Sequence, residues 1–133
     1  MRQPAGRRTV FVDHTALDTL ADPFHTEHER VLAGFERLLA EFERGDTILV
    51  THAGMAARAA NGSGSSPLTA VCDVEPLRRW LVRRAERAMA DHPELALDLD
   101  QAAALVLMER RGIDEVLTID PLYDDIDVDV LTR

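Results

Sequence analysis

Two aspartates, Asp13 and Asp120, each stand at or just past the end of a short apolar run, Thr9-Val10-Phe11-Val12 and Val116-Leu117-Thr118-Ile119. Two more, Asp98 and Asp100, directly precede the stretch Gln101-Ala102-Ala103-Ala104. Carboxylates that converge at one end of a fold raise one another's pKa unless a cation neutralises them. Hard oxygen ligands of this kind select Mg2+ or Mn2+. Such an ion can activate a water and stabilise the charge that develops on a phosphodiester, which is hydrolysis without a covalent intermediate on the protein. Asp13, Asp98, Asp100 and Asp120 are therefore candidate metal ligands. The plain alternative for each is that aspartate favours strand ends and helix N-caps.

The elements that must position these residues can be read from periodicity. Residues 9–13 form a β-branched and aromatic run, expected as a buried strand with Asp13 at its carboxyl end. Over residues 26–44, Val31, Leu32, Phe35, Leu38, Leu39 and Phe42 recur at helical spacing before the stop Gly45-Asp46. A second strand is expected over 47–51 and a short alanine-rich helix over 53–60. Residues 61–67 read as a flexible loop. Residues 68–74 suit a short strand, and Glu75-Pro76 opens a helix that runs to about Ala90. After His92-Pro93, residues 101–111 read as a helix closed by Gly112. Residues 115–119 form another strand, and the alternation over 126–130 suits an edge strand with one wet face. Strands separated by helices imply a mostly parallel sheet covered on both faces. Ligands of such sheets bind outside the carboxyl ends of the strands, where Asp13 and Asp120 fall. No internal repeat is present.

A chain of 133 residues with 46% apolar content suits one domain with one core. The basic start, Met1 to Arg8, is followed by only four apolar or β-branched residues before Asp13, short of a signal-peptide core of about 7–15 residues. Residues 1–8 are expected as a loose extension. No apolar run approaches the ~20 residues of a membrane-spanning helix, so a cytoplasmic location is expected. Cys72 is the single cysteine, which excludes an intrachain disulfide and a thiolate zinc cage and leaves a small core residue. The net charge of −9 argues against a nucleic-acid footprint over the whole surface, though not against a local basic patch. Every one of the 15 positive side chains is arginine, so chemistry that needs an amine side chain is excluded.

Val10-Phe11-Val12-Asp13-His14-Thr15-Ala16-Leu17 resembles the opening motif of PIN domains, and Val116-Leu117-Thr118-Ile119-Asp120 resembles their closing strand-Thr-x-Asp motif. Residues 103–112 resemble the alanine-rich helix that precedes that strand, and Asp120-Pro121-Leu122-Tyr123 stands in the place of the usual Asp-x-x-Phe. Each motif alone is weak; their order and spacing together, over residues 10–131, carry the resemblance. It implies an α/β fold, a PIN-like three-layer α/β/α domain with a mostly parallel central sheet. It further implies an endoribonuclease dependent on Mg2+ or Mn2+, often the toxin of a bacterial toxin–antitoxin pair. RNA, a cognate antitoxin and a second copy of the chain are the implied partners, with no membrane.

Asp13 and Asp120 match the family's metal ligands directly. The family's middle aspartate falls on Gln101-Ala102 when counted from Gly112. Asp100, one residue away, would serve if the helix starts differently, making Asp13, Asp100 and Asp120 the implied catalytic set, with Asp98 as a third choice. The family glutamate follows the second strand, where Ala53-Gly54-Met55-Ala56-Ala57-Arg58 contains no acid. Glu29, Glu36 or Glu75 would have to approach from elsewhere. This pattern leaves a second expectation open, a catalytically impaired PIN-like module that acts through protein or RNA contacts.

Other features have ordinary readings beside functional ones. Arg78, Arg79, Arg83, Arg84 and Arg87 share one expected helix with Leu77, Trp80, Leu81, Ala85 and Met89. They could contact phosphates, but a solvated face paired with the chain's many acids is the commoner arrangement. His25-Thr26-Glu27-His28-Glu29 matches neither zinc-protease helix motif and reads as a loop and helix start. His14 would face away from Asp13 if the strand continued, and is not counted as catalytic. Gly62-Ser63-Gly64 lacks the following Gly-Lys-Ser/Thr of a phosphate loop and the third glycine of a dinucleotide site. A phospho-acceptor receiver domain also carries acids at strand ends, but its closing strand carries a lysine. The apolar residues from Val31 to Phe42 could form a dimer face or the core.

Overall fold

The computed structural model describes residues 8–60 and 67–132. The expected loose extension, apart from Arg8, and the glycine-serine loop at 61–66 lie outside the described residues. Strand β1 (Arg8–Val12) is buried on both sides, with Val10 and Val12 in one apolar cluster and Phe11 in the other. Burial on both faces is the pattern of a central parallel strand. It pairs in parallel with β2 (Thr47–His52), Val10 opposite Leu49 and Phe11 opposite Val50. On its other side it pairs with β4 (Glu115–Leu117), Phe11 opposite Val116 and Val12 opposite Leu117. Strands β3 (Asp73–Glu75) and β5 (Asp129–Val130) form the two edges, giving the order β3-β2-β1-β4-β5 with every pairing parallel.

One face of the sheet is covered by α1 (His14–Ala21) and α2 (His28–Glu43), whose Ala16, Leu17, Val31, Phe35 and Leu38 join Val10, Val12 and Leu49. The other is covered by α4 (Arg79–Asp91) and α5 (Leu99–Arg111), through Leu81, Ala85, Ala103, Leu107 and Met108. Short helix α3 (Ala53–Ala60) leaves the carboxyl end of β2 directly. Gly112 closes α5 at φ 67°, a left-handed cap that suits glycine. Helix α2 thus turns the apolar residues considered for a dimer face into the core, leaving Phe42 36% exposed. Cys72 sits half-buried at the rim of the core, where burial and then the Asp73 charge push its thiol up to about 11, a weak nucleophile.

The boundaries depart from the sequence reading in several places. Glu75 ends β3 and α4 opens only at Arg79, after Pro76 and the Arg78 cap, and the strand expected over 115–119 stops at Leu117. Helix α1 was not anticipated: β1 stops at Val12, and Asp13 accepts from the Thr15 N–H as an N-cap. Residues 68–74 do not form one strand. A 3-10 turn spans Pro67–Val71, and β3 follows from half-exposed and exposed residues that lack any apolar run. The edge strand expected over 126–130 shrinks to two residues, since Leu131 and Asp129 already complete the backbone bonds to Val116 and Asp114. No helix among the described residues is long and apolar enough to cross a membrane.

Candidate active site

The carboxyl ends of the three middle strands meet at Asp13. Its side chain is fully buried, and all its donors aim at one oxygen. Oδ2 accepts from the Thr15 N–H (3.2 Å), the Thr15 hydroxyl and the Thr118 hydroxyl (2.9 Å). Both hydroxyls are themselves held, because Thr15 Oγ1 accepts from the Ile119 N–H (3.1 Å) and Thr118 Oγ1 from the Asp120 N–H (2.9 Å). The opening of α1 and the strand-Thr-x-Asp segment are in this way stitched to one carboxylate. Asp13 Oδ1 is buried without a partner among the described residues.

Asp120 follows as the N-cap of a 3-10 turn over Pro121–Asp125. Its Oδ1 accepts from the Leu122 N–H (3.0 Å) and its Oδ2 from the Gln101 amide (2.9 Å). Gln101 is fixed at its other end: Gln101 Oε1 accepts from the Asp98 N–H, and Asp98 Oδ1 accepts from the Gln101 N–H, a reciprocal capping box that starts α5. The neutral amide of Gln101 thus reaches Asp120 directly, where a carboxylate would repel it. Tyr123, fully buried in that turn, carries a hydroxyl with no partner. Burial, and then the charges of Asp13, Asp120 and Asp98, push its ionisation well above the ordinary phenol range, so it stays neutral.

Asp98 and Asp100 occupy the outer part of the cleft. The Arg58 guanidinium lies 3.1 Å from Asp98 and 3.5 Å from Asp100. A Cβ on Gly54 would collide with the Asp100 carboxylate, so only glycine at this position leaves it room. Between α3 and α5 stands His52, the last residue of β2, fully buried. Its Nδ1 accepts from the Gly54 and Met55 N–H groups (3.1 and 3.3 Å), and its Nε2 donates to the Asp100 carbonyl (2.9 Å). Those partners require the neutral ring protonated on Nε2. Burial lowers its pKa and outweighs the Asp100 carbonyl and the nearby aspartate charges that would raise it.

Whether these residues suit a divalent cation can be judged from the donors. Among the described residues no three Asp, Glu, His or Cys side chains gather closely enough to hold one ion together. Mg2+, however, commonly keeps several waters and takes one or two carboxylates. An unpaired buried polar atom costs about 1–3 kcal/mol. Among the described residues Asp13 Oδ1 is such an atom, a buried hard oxygen on a carboxylate that is tied through the Thr118 hydroxyl to the Asp120 backbone. In donor chemistry alone, the carboxylate oxygens of Asp13 and Asp120 are of the kind that Mg2+ or Mn2+ takes.

No family model matches the sequence, and no curated protein matches it as a relative. Among solved structures, the chain resembles VapC20 of Mycobacterium tuberculosis, a toxin that cleaves the sarcin-ricin loop. The TM-score is 0.71 at 18% identity, over 92% of this chain and 98% of that one. This is a PIN-like fold. The PIN-like frame and its α/β/α layers are therefore those implied by the motifs at Asp13 and Asp120.

Within that frame the four sequence candidates separate. Asp13 and Asp120 are joined through Thr118, whose hydroxyl links the two segments. Gln101 occupies the position facing Asp120; Asp100 packs against Gly54 and Arg58, and Asp98 is an exposed cap. Glu75 is drawn to Arg111 at 3.0 Å, while Glu29 and Glu36 are exposed on α2. His14 begins α1 and turns toward Asp18. His28 starts α2, as the loop-and-helix reading held. His52 and Arg58 were not picked out from sequence. No local spacing signals His52, whose ring bonds the Asp100 carbonyl 48 residues away.

Proposed function

We propose that this protein is a PIN-type endoribonuclease that hydrolyses RNA phosphodiester bonds with Mg2+ or Mn2+ at Asp13 and Asp120. The observation that carries the proposal is the buried Oδ1 of Asp13, unpartnered among the described residues, on a carboxylate tied through Thr118 to Asp120 at the carboxyl edge of a parallel sheet. The fold shared with an RNA-cleaving toxin supports it. When bound, the ion supplies a nucleophilic water and stabilises charge on the phosphate. Thr15 and Thr118 fix Asp13 so that Oδ1 is presented, and the Leu122 N–H and Gln101 amide orient Asp120. Asp100 joins this set by exchanging Arg58 for the hydrated ion, and Asp98 remains an outer carboxylate at the α5 N-cap. A toxin role, a cognate antitoxin, a homodimer and a cytoplasmic location belong to the same proposal.

The test is RNA cleavage with Mn2+ by wild type, Asp13→Asn and Asp120→Asn. Both variants are expected to lose cleavage; equal activity in all three would assign it to a contaminant and end the proposal. A second reading, a binding module without catalysis, is favoured by one observation: Arg58 and Gln101 already neutralise or bond the acids of the cleft. A ligand of the native state raises its melting temperature. A rise with Mn2+ that Asp120→Asn removes counts against the binding module, and no rise favours it.

A further inference from the structure

The exposed face of α4 concentrates positive charge in an acidic chain. Residues 78–91 hold Arg78, Arg79, Arg83, Arg84 and Arg87 against Glu86 and Asp91, while the whole chain carries −9. Acids elsewhere pair with Arg8, Arg44, Arg58 and Arg111. None of these five arginines, Arg78 at the N-cap and four within α4, has such a partner among the described residues, contrary to the ordinary reading of a paired, solvated face.

Arg79, Arg83 and Arg87 lie at intervals of four residues and are all exposed, so they form one row with steps of about 6 Å. Beside the row the Arg110 guanidinium stacks over Trp80, 4.5 Å from the ring centroid, and Trp80 remains 37% exposed. Arg84, Arg87 and Arg110 also line a groove of about 850 Å3 together with the apolar Leu105 and Val106 and the acids Asp91, Glu109 and Asp127. This face meets the last turn of α5, about 15 Å along that helix from the carboxylates at its start.

We infer that the Arg79-Arg83-Arg87 row, with Trp80 and the groove, is a docking track for a single-stranded RNA segment outside the one being cut. That the strand is RNA rests on the proposed function. Repeated phosphates suit the row of arginines outside the groove, and unpaired bases suit a stacked aromatic and the apolar side of the groove at Leu105 and Val106, away from its acids. An acidic protein would match the charges but leave the stacking platform unused, and duplex RNA keeps its bases stacked inside.

The test is fluorescence anisotropy of a short labelled oligouridylate in EDTA, over a salt titration, for wild type and Arg79→Gln/Arg83→Gln/Arg87→Gln. Each phosphate contact to a single strand contributes about 0.7 to the slope of log affinity against log salt. The variant is expected to bind roughly tenfold or more weakly, with a slope flatter by about 2. Its melting temperature is expected to match wild type, which checks folding. Absence of wild-type binding, or equal affinity and slope in both proteins, overturns the inference. So does a variant that keeps RNA affinity but changes oligomeric state on gel filtration, which assigns the face to protein. Because EDTA removes cleavage from the readout, arginine-dependent binding by a protein that never cleaves RNA would uphold the track and defeat the nuclease. Asp13-dependent cleavage with unchanged binding in the variant would do the reverse.

Discussion

The two halves of the acidic cleft are built on opposite principles. The inner half is made of Asp13, Thr15, Thr118 and Asp120, buried or half-buried, with donors supplied by backbone and hydroxyl groups and by the Gln101 amide, itself pinned in the α5 capping box. The outer half is made of Asp98 and Asp100, whose carboxylates are compensated by the side chain of Arg58, itself 41% exposed. Fixed dipoles cannot leave the inner half without local unfolding, whereas an exposed arginine can swing away at little cost. A carboxylate held by the fold remains ready for a ligand; one held by a mobile cation must first give that cation up.

Substitutions can probe this contrast, and the largest effect is expected at the inner half. Asp13→Ala strands two threonine hydroxyls and the Thr15 N–H in a buried site, and should cost about 2–4 kcal/mol of unfolding free energy in urea titrations. A cost below that of Asp98→Ala would erase the distinction.

The His52 latch between the halves should show as pH dependence. Its folded pKa lies below the ordinary value of 6.5, so the neutral ring's contribution is complete above 6.5 and is lost as pH falls through the folded value. Wild type should therefore lose stability on acidification below 6.5, and His52→Gln, which cannot titrate, should flatten that part of the curve. Identical profiles from chemical denaturation would remove His52 as the cause.

Smaller effects belong to the outer half. Asp98→Ala removes an N-cap and half of a capping box and should cost about 1 kcal/mol, measurable as a lower denaturation midpoint. Arg58→Gln should change stability by less than about 1 kcal/mol, since the pairs are partly solvated. It should instead strengthen Mn2+ binding in calorimetry, because Asp98 and Asp100 lose their competing cation. Unchanged or weaker binding would show that Arg58 does not compete with the ion.

What the sequence makes legible follows from how far each cause reaches along the chain. Helices α2 and α5 announce themselves through apolar spacing and Gly112, and β1, β2 and β4 through short β-branched runs, because these signals are local. Helix α1 was equally local, with Ala16, Leu17 and Leu20 spaced for one face, but Asp13 drew attention as a ligand when it is also a cap. Strand β3 could not be seen, since only its backbone pairing to Val50, Thr51 and His52 defines it. In the cleft, Asp13 and Asp120 were visible as strand ends. Arg58 and His52 were not, because they meet Asp98 and Asp100 across separations of 40 and 48 residues that no local spacing encodes.

Strand β1 sits in the middle of the sheet, yet one of its neighbours, β4, follows it by about a hundred residues, and the Thr118–Asp13 bond joins residues 105 positions apart. Pairings this distant form late, after the intervening chain is available to close the loop. During vectorial synthesis, a growing chain that has not yet released residues 115–120 has no partner for Val12 and no second carboxylate beside Asp13. If the protein cuts RNA as proposed, the polypeptide leaves the ribosome unarmed throughout the stretch from Asp13 to Leu117.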